Sequence, residues 1–143
     1  PHVINFHITN RCNYQCKHCF ARFNQRDLSL DEAKRVIDSI EEYFKEAQVK
    51  NSRINLAGGE PLIYPYIDEI IDYISSKGIK VSMITNGSLL TEERVEKWKG
   101  KVAELSGMMT EHIDGGFSLR HGVIKTWRDD KNAEDCLYDQ IAN

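Results

Sequence analysis

Between His2 and Thr9 apolar and polar side chains alternate through Val3, Ile4, Phe6 and Ile8, in residue types that favour extended backbone. This predicts a first strand. Ser29-Leu30-Asp31-Glu32 then forms a capping box, and Ala33, Val36, Ile37, Ile40 and Phe44 follow at helical spacing, which predicts a helix from Leu30 to about Glu46. Arg53 to Ala57 is a short second strand, ended by Gly58-Gly59 where the backbone needs unusual freedom. Ile67, Ile70, Ile71 and Ile74 recur at three- and four-residue intervals, and Gly78 stands where a left-handed cap would close that second helix. Lys80 to Thr85 is a third strand, broken by Asn86-Gly87. Thr91-Glu92-Glu93 caps a third helix whose buried face is marked by Val95 and Trp98.

Strands alternating with helices predict an α/β fold: a parallel sheet with right-handed crossovers, needing both faces covered, as in a whole or partial (β/α) barrel. From Lys101 onward the periodicity fails. Ser106-Gly107, Gly115-Gly116 and the Arg128 to Lys131 run interrupt scattered apolar residues, and the pattern places no fourth strand. We therefore expect a core over residues 1–100 and an atypical tail over 101–143. If the sheet stops at the third strand, its edge needs covering by that tail or by a partner.

Composition narrows the possible functions. The chain has 143 residues, 41% hydrophobic and 29% charged, enough for one globular core. No apolar run approaches the roughly 20 residues that span a bilayer, and residues 1–9 lack the pattern of a secretory signal. A first residue other than Met suggests trimming. A net charge of −3 argues against gripping a nucleic-acid polymer through its phosphates. Four cysteines, three of them within eight positions, are a poor disulfide framework and point to metal chemistry in a reducing, cytoplasmic setting; Cys136 stands apart as a bystander.

The spacing Cys12-x-x-x-Cys16-x-x-Cys19, directly after a strand, suits a tight loop that wraps three thiolates around one object. A structural zinc ion would want a fourth ligand, for which His7 and His18 are the local candidates; buried, inert thiols are the bland alternative. A 4Fe–4S cluster on three thiolates would instead leave one iron open to an outside ligand. Ala57-Gly58-Gly59-Glu60-Pro61 lies at the carboxyl end of the second strand, the end where β/α folds bind ligands. Its glycines permit close approach to a ligand, and Glu60 offers a carboxylate to a cationic amine. Thr85-Asn86-Gly87-Ser88 closes the third strand at the same end and offers an amide and hydroxyls to a sugar or carboxylate, though a polar capping turn explains it equally well. Tyr14, His18, Phe20 and Phe23 add aromatic surface near the cysteines.

The run Cys12-Asn13-Tyr14-Gln15-Cys16-Lys17-His18-Cys19 together with Gly58-Gly59-Glu60-Pro61 resembles the signature of the radical S-adenosylmethionine (SAM) superfamily. The resemblance implies a partial radical SAM barrel, with Cys12, Cys16 and Cys19 holding a 4Fe–4S cluster whose open iron binds SAM. It further implies that Gly58, Gly59, Glu60 and Pro61 meet the SAM amine, that His18 approaches adenine, and that Asn86 and Ser88 add contacts. Reductive cleavage of SAM would give methionine and a 5'-deoxyadenosyl radical, the cofactor supplying the hard chemistry. Within the superfamily, Asn5-Phe6-His7-Ile8-Thr9, Cys19-Phe20-Ala21, Ile54 to Pro61 and Ser82 to Leu89 are similar to viperin-like proteins, over residues 3–98. That similarity implies a lyase that dehydrates a nucleoside triphosphate such as CTP to its 3'-deoxy-3',4'-didehydro form in antiviral defence, served by a flavodoxin- or ferredoxin-type electron donor. Thr85-Asn86-Gly87 also occurs in relatives that modify peptides, so a peptide-modifying maturase is the alternative within the superfamily.

Members of this family would continue beyond Lys101 with a fourth strand and roughly half a barrel more. The expectation is therefore a truncated, frameshifted or partial chain, and an inactive remnant or a small zinc-binding interaction module are the alternatives of a different class.

Overall fold

A computed structural model describes residues 2–14, 26–109 and 119–126. Its elements in chain order are β1 (Val3–Thr9), α1 (Leu30–Glu46), β2 (Arg53–Gly58), a 3-10 turn (Pro61–Ile63), α2 (Ile67–Ser76), β3 (Lys80–Thr85), α3 (Glu92–Trp98), β4 (Val102–Met109) and β5 (Leu119–Thr126). The predicted helices and first three strands fall where the patterns put them. Ser29 and Glu32 form the capping box in both directions, at 3.1 and 2.9 Å. Thr91 caps α3 through the Arg94 N–H. Gly78, at φ +72°, follows α2 in the left-handed region.

The five strands lie in chain order. β1 through β4 run parallel, and β5 returns antiparallel on β4. Each neighbour is added on the same side, the progression of a β/α barrel, and crossovers of one hand then bring every helix to one face. Phe6, Ile8, Ile54, Leu56, Val81 and Met83 meet Ile37, Phe44, Ile67, Ile70, Ile71, Ile74 and Trp98 in one continuous core. Polar tethers lock the helix layer at its rim: Trp98 donates Nε1–H to Asp68 at 2.8 Å, and Lys77 near the end of α2 spans Asp38 and Glu41 of α1 at 3.0 and 3.1 Å.

Two expectations are corrected. Regular structure does not stop at Lys101: β4 pairs with β3 from Val102, so β3 is not an edge, and β5 covers β4 in turn. Glu104, Ser106 and Gly107 dilute the apolar run in β4, and the register shift between Val81 and Ser82 breaks its periodicity. Residues 110–118 and 127–143, with Cys136, lie outside the described residues. The second correction concerns the sheet's faces. Among the described residues the helices cover one face; the opposite face of β1 to β3 carries Asn5, His7, Asn55, Ser82 and Ile84, with Asn5, His7 and Ile84 exposed. Among the described residues no helix is long and apolar enough to cross a membrane.

Ile70 is fully buried and Val36 on α1 is 37% exposed. Ile70→Ala should lower unfolding free energy by about 2–5 kcal/mol, through lost transfer energy and the cavity left behind. Val36→Ala should change it by no more than about 0.5 kcal/mol. Urea denaturation of the two variants checks the difference.

Candidate functional site

The carboxyl ends of β1, β2 and β3 converge through main-chain bonds that continue beyond the strands. Gly59 N–H donates to the Thr9 carbonyl (3.0 Å) and Glu60 N–H to the Arg11 carbonyl (2.9 Å), so the segment entering the cysteines is laid directly across the glycine pair. A Cβ on Gly58 would sit 2.2 Å from the Thr9 carbonyl oxygen, and one on Gly59 would sit 2.0 Å from that of Arg11 and 3.0 Å from the Cys12 Cβ. Gly58 also has φ +146°, where glycine is favoured. The close approach that these glycines permit in the structure is therefore by the chain's own backbone, the backbone that carries Cys12.

Glu60 has no exposed surface. Its Oε1 accepts hydrogen bonds from Leu62 N–H (3.1 Å) and Thr85 Oγ1 (2.6 Å), and its Oε2 accepts one from Asn86 N–H (2.7 Å). Burial pushes the Glu60 carboxyl above its ordinary pKa, while these donors and the charge of Arg94 pull the other way. The side chain thus joins the end of β2 to the end of β3 and caps the 3-10 turn that Pro61 opens, where proline forfeits no hydrogen bond. It is enclosed by its own partners and does not face an open surface.

The Thr85-Asn86-Gly87-Ser88 turn is likewise built into the site. Thr85 Oγ1 accepts the Gly87 N–H (3.0 Å), and Asn86 Oδ1 accepts from the N–H and hydroxyl of Ser88 (3.0 and 2.7 Å). Asn86 donates its amide to Asn13 Oδ1 (2.9 Å), and Asn13 donates to Ser88 Oγ (2.9 Å). A ring of three polar side chains therefore bridges the cysteine segment and the end of β3, at the surface where a polar ligand can exchange for these bonds.

Cys12, half-buried, receives the Tyr14 N–H at Sγ (3.4 Å). Cys16, Cys19 and His18 lie outside the described residues, as do Phe20 and Phe23. Among the described residues no three His, Cys, Asp or Glu side chains gather as a metal site. His7, one of two candidates for a fourth zinc ligand, is exposed on the open face of β1, opposite Ala57.

Several participants carried no pattern in the sequence. Asp27 binds Thr9 and Arg11, and Tyr64, whose phenol is pushed up to about 12 chiefly by burial, donates to the Leu28 carbonyl (3.0 Å). On the open sheet face Asn55 donates to Asn5 (2.9 Å) and accepts from Ser82 (3.0 Å), a polar ladder over three strands. Asn5 and Asn55 stand at paired positions of β1 and β2, the one signal by which the ladder could have been found.

A family model for the radical SAM superfamily matches residues 6–108. The chain belongs to the radical SAM superfamily. A 4Fe–4S cluster and SAM are the cofactors of this family. The three thiolates are the right donor set for such a cluster, and Cys12, beside Gly59 with a hydrogen-bonded sulfur, fits one of its corners. The chain is 35% identical over 118 residues to a protein of Thermoplasmatales archaeon (strain ISO4-H5) named S-adenosylmethionine-dependent nucleotide dehydratase, covering 82% of this chain and 41% of that protein. A Selenomonas ruminantium protein of the same name is 41% identical over 93 residues, covering 64% and 32%. The chain thus spans less than half the length of these radical SAM relatives. The structure of Streptococcus suis SuiB bound to precursor peptide SuiA shares the fold, with TM-score 0.55 and 24% identity over 73% of this chain and 23% of SuiB.

Both oxygens of Glu60 receive main-chain N–H groups, so an amide at this position must turn its NH2 toward one of them. Glu60→Gln should cost about 1–3 kcal/mol of stability. Gly59→Ala, whose Cβ overlaps the Arg11 carbonyl, should cost roughly as much or more. Denaturation midpoints that match the unaltered chain would refute both.

Proposed function

We propose that this chain is the cluster- and SAM-binding part of a viperin-like nucleotide dehydratase. The observation that carries the reading is the convergence at one sheet edge of the Cys12 segment, the Gly58-Gly59-Glu60-Pro61 turn and the Asn86–Ser88 turn, all mutually bonded. Identity to two proteins named as nucleotide dehydratases supports the substrate class.

In this reading Cys12, Cys16 and Cys19 hold the 4Fe–4S cluster. A bound and reduced cluster would supply the electron for reductive cleavage of SAM, with methionine as the leaving group, and so the means of hydrogen-atom abstraction from the substrate. The buried Glu60 side chain fixes the shape of the turn, and the main chain of Gly58 and Gly59 is the part left to meet the SAM amine. Pro61 stiffens the exit of that turn. Asn86 and Ser88 supply an amide and a hydroxyl to the SAM ribose or carboxylate, and His18 approaches adenine. The open face, with Asn5 and Asn55 of the ladder, offers amides to a polar small molecule, which we take to be a nucleoside triphosphate such as CTP. Electrons come from a flavodoxin- or ferredoxin-type donor. Thiolates that must stay reduced favour a cytoplasmic setting.

Anaerobic reconstitution with iron and sulfide should give a brown protein whose broad absorbance dithionite bleaches, and replacing any of the three cysteines by Ala should abolish it. With SAM and reductant, 5'-deoxyadenosine should form faster when one of a panel of nucleoside triphosphates is present. A colourless protein that binds zinc in the same cysteines would sink the cluster assignment. 5'-Deoxyadenosine formation indifferent to every nucleotide would sink the substrate class.

A further inference from the structure

The cysteines at 12, 16 and 19 all lie between Arg11 and Asp27 in the chain, and these two residues are bonded to each other. The Asp27 carboxylate uses both oxygens. Oδ1 accepts the Thr9 hydroxyl at 2.6 Å, and Oδ2 accepts Nε–H and Nη2–H of Arg11 at 2.9 and 2.6 Å. The Thr9 hydroxyl in turn accepts the Arg11 N–H at 3.0 Å, closing a compact triangle. Thr9 is 2% exposed, the Asp27 side chain 17% and the Arg11 side chain 41%, so the carboxylate and hydroxyl are sheltered while the guanidinium reaches the surface, its two bonds to Asp27 being charge-assisted.

Both anchors of the triangle are themselves fixed. Arg11 is held to the glycine turn, its carbonyl accepting Glu60 N–H. Immediately after Asp27, Leu28 is held by Tyr64, and Ser29 starts α1 with its capping box. The residues that flank the cysteine segment on either side are therefore held together at one closed point. Three ligands on one chain segment bind a common centre more tightly when the ends of that segment are already together, because the entropy of closing it is not charged to each binding event.

We propose that Asp27 is a positioning residue for the iron–sulfur cluster: by clamping Arg11 and Thr9 it closes the base of the cysteine segment and slows the loss of the cluster. This rests on the reading that Cys12, Cys16 and Cys19 hold such a cluster. Asp27 touches neither cluster nor SAM in this role; it acts through the backbone of Arg11 on the adjoining Cys12. The Arg11 guanidinium is donor-only and places two N–H groups on one Asp27 oxygen, so residue 27 must present it an acceptor, which alanine cannot.

The test uses the chain reconstituted anaerobically, with cluster loss to an excess of iron chelator followed by absorbance, and iron and sulfide content measured at the start. Asp27→Ala and Arg11→Gln should each speed cluster loss by about tenfold, within the range seen when partners behind metal ligands are removed. The double variant should be no worse than either single one, because both break the same contact. Thr9→Val, which keeps the shape and removes only the hydroxyl, should give a smaller increase and serves if the stronger variants fold poorly. Far-UV circular dichroism and the urea midpoint of the cluster-free proteins separate the clamp from general destabilisation. Variants that lose stability yet release the cluster at the unaltered rate, or singles whose effects multiply in the double, overturn the proposal. An unaltered chain that takes up no iron and sulfide overturns the cluster reading, and this proposal with it.

Discussion

A single buried carboxylate sets the geometry at the working edge of this sheet. Glu60 lies at the end of β2 with no exposed surface and accepts hydrogen bonds from Leu62, Thr85 and Asn86. A charge in that position is tolerable only while donors surround it. The requirement runs both ways: the turn after β2 and the turn after β3 must keep their positions for Glu60 to be satisfied, and Glu60 must be present for their N–H groups to be satisfied. Gly58 and Gly59 extend the arrangement to β1, since only a residue without Cβ lets Thr9 and Arg11 pass so close.

The one-sided helix layer follows from adding parallel strands in order. Crossovers of constant hand deliver each helix to the same face, so the apolar half of each strand is buried and the alternate half is left to another purpose. Here that half is polar in the middle of the sheet, where Asn5, Asn55 and Ser82 satisfy one another. Aliphatic side chains at those positions would give the face a different character with little change to the fold beneath it. The ladder leaves this face of the sheet polar, next to the turns at the strand ends.

The cysteine segment is held to this surface by bonds outside it. Asn13 reaches Asn86 and Ser88 on β3's side, Arg11 is fixed by Asp27, and Cys12 lies beside Gly59. For Asp27, burial pushes the carboxyl up, but hydrogen bonds from Arg11 and Thr9 and the charge of Arg11 outweigh it and hold the group below its ordinary value. The stabilisation this reflects is present above the ordinary carboxylate range and is lost as pH falls through the lowered value.

Local rules were enough for the helices and the first three strands, because a capping box at Ser29 or an isoleucine repeat through α2 is complete within a few residues of sequence. β4 was not legible, since its partner β3 and a register shift define it more than its own diluted pattern does. The three cysteines and the Gly-Gly-Glu-Pro turn announced the family by themselves. What the turn's residues do was a tertiary matter: Glu60 looks like a ligand group in sequence and is spent internally, and the glycines admit backbone from β1, strands away in chain order. Asp27 and Tyr64 have no local signature at all, for each acts on a partner at least 16 residues distant. The sequence by itself determined the three helices, the first three strands and which cofactors the family brings, because all are written in short spacings. Only the tertiary structure decided which polar groups face a ligand and which are consumed in holding the site, because hydrogen-bond capacity is allotted among neighbours that folding alone brings together.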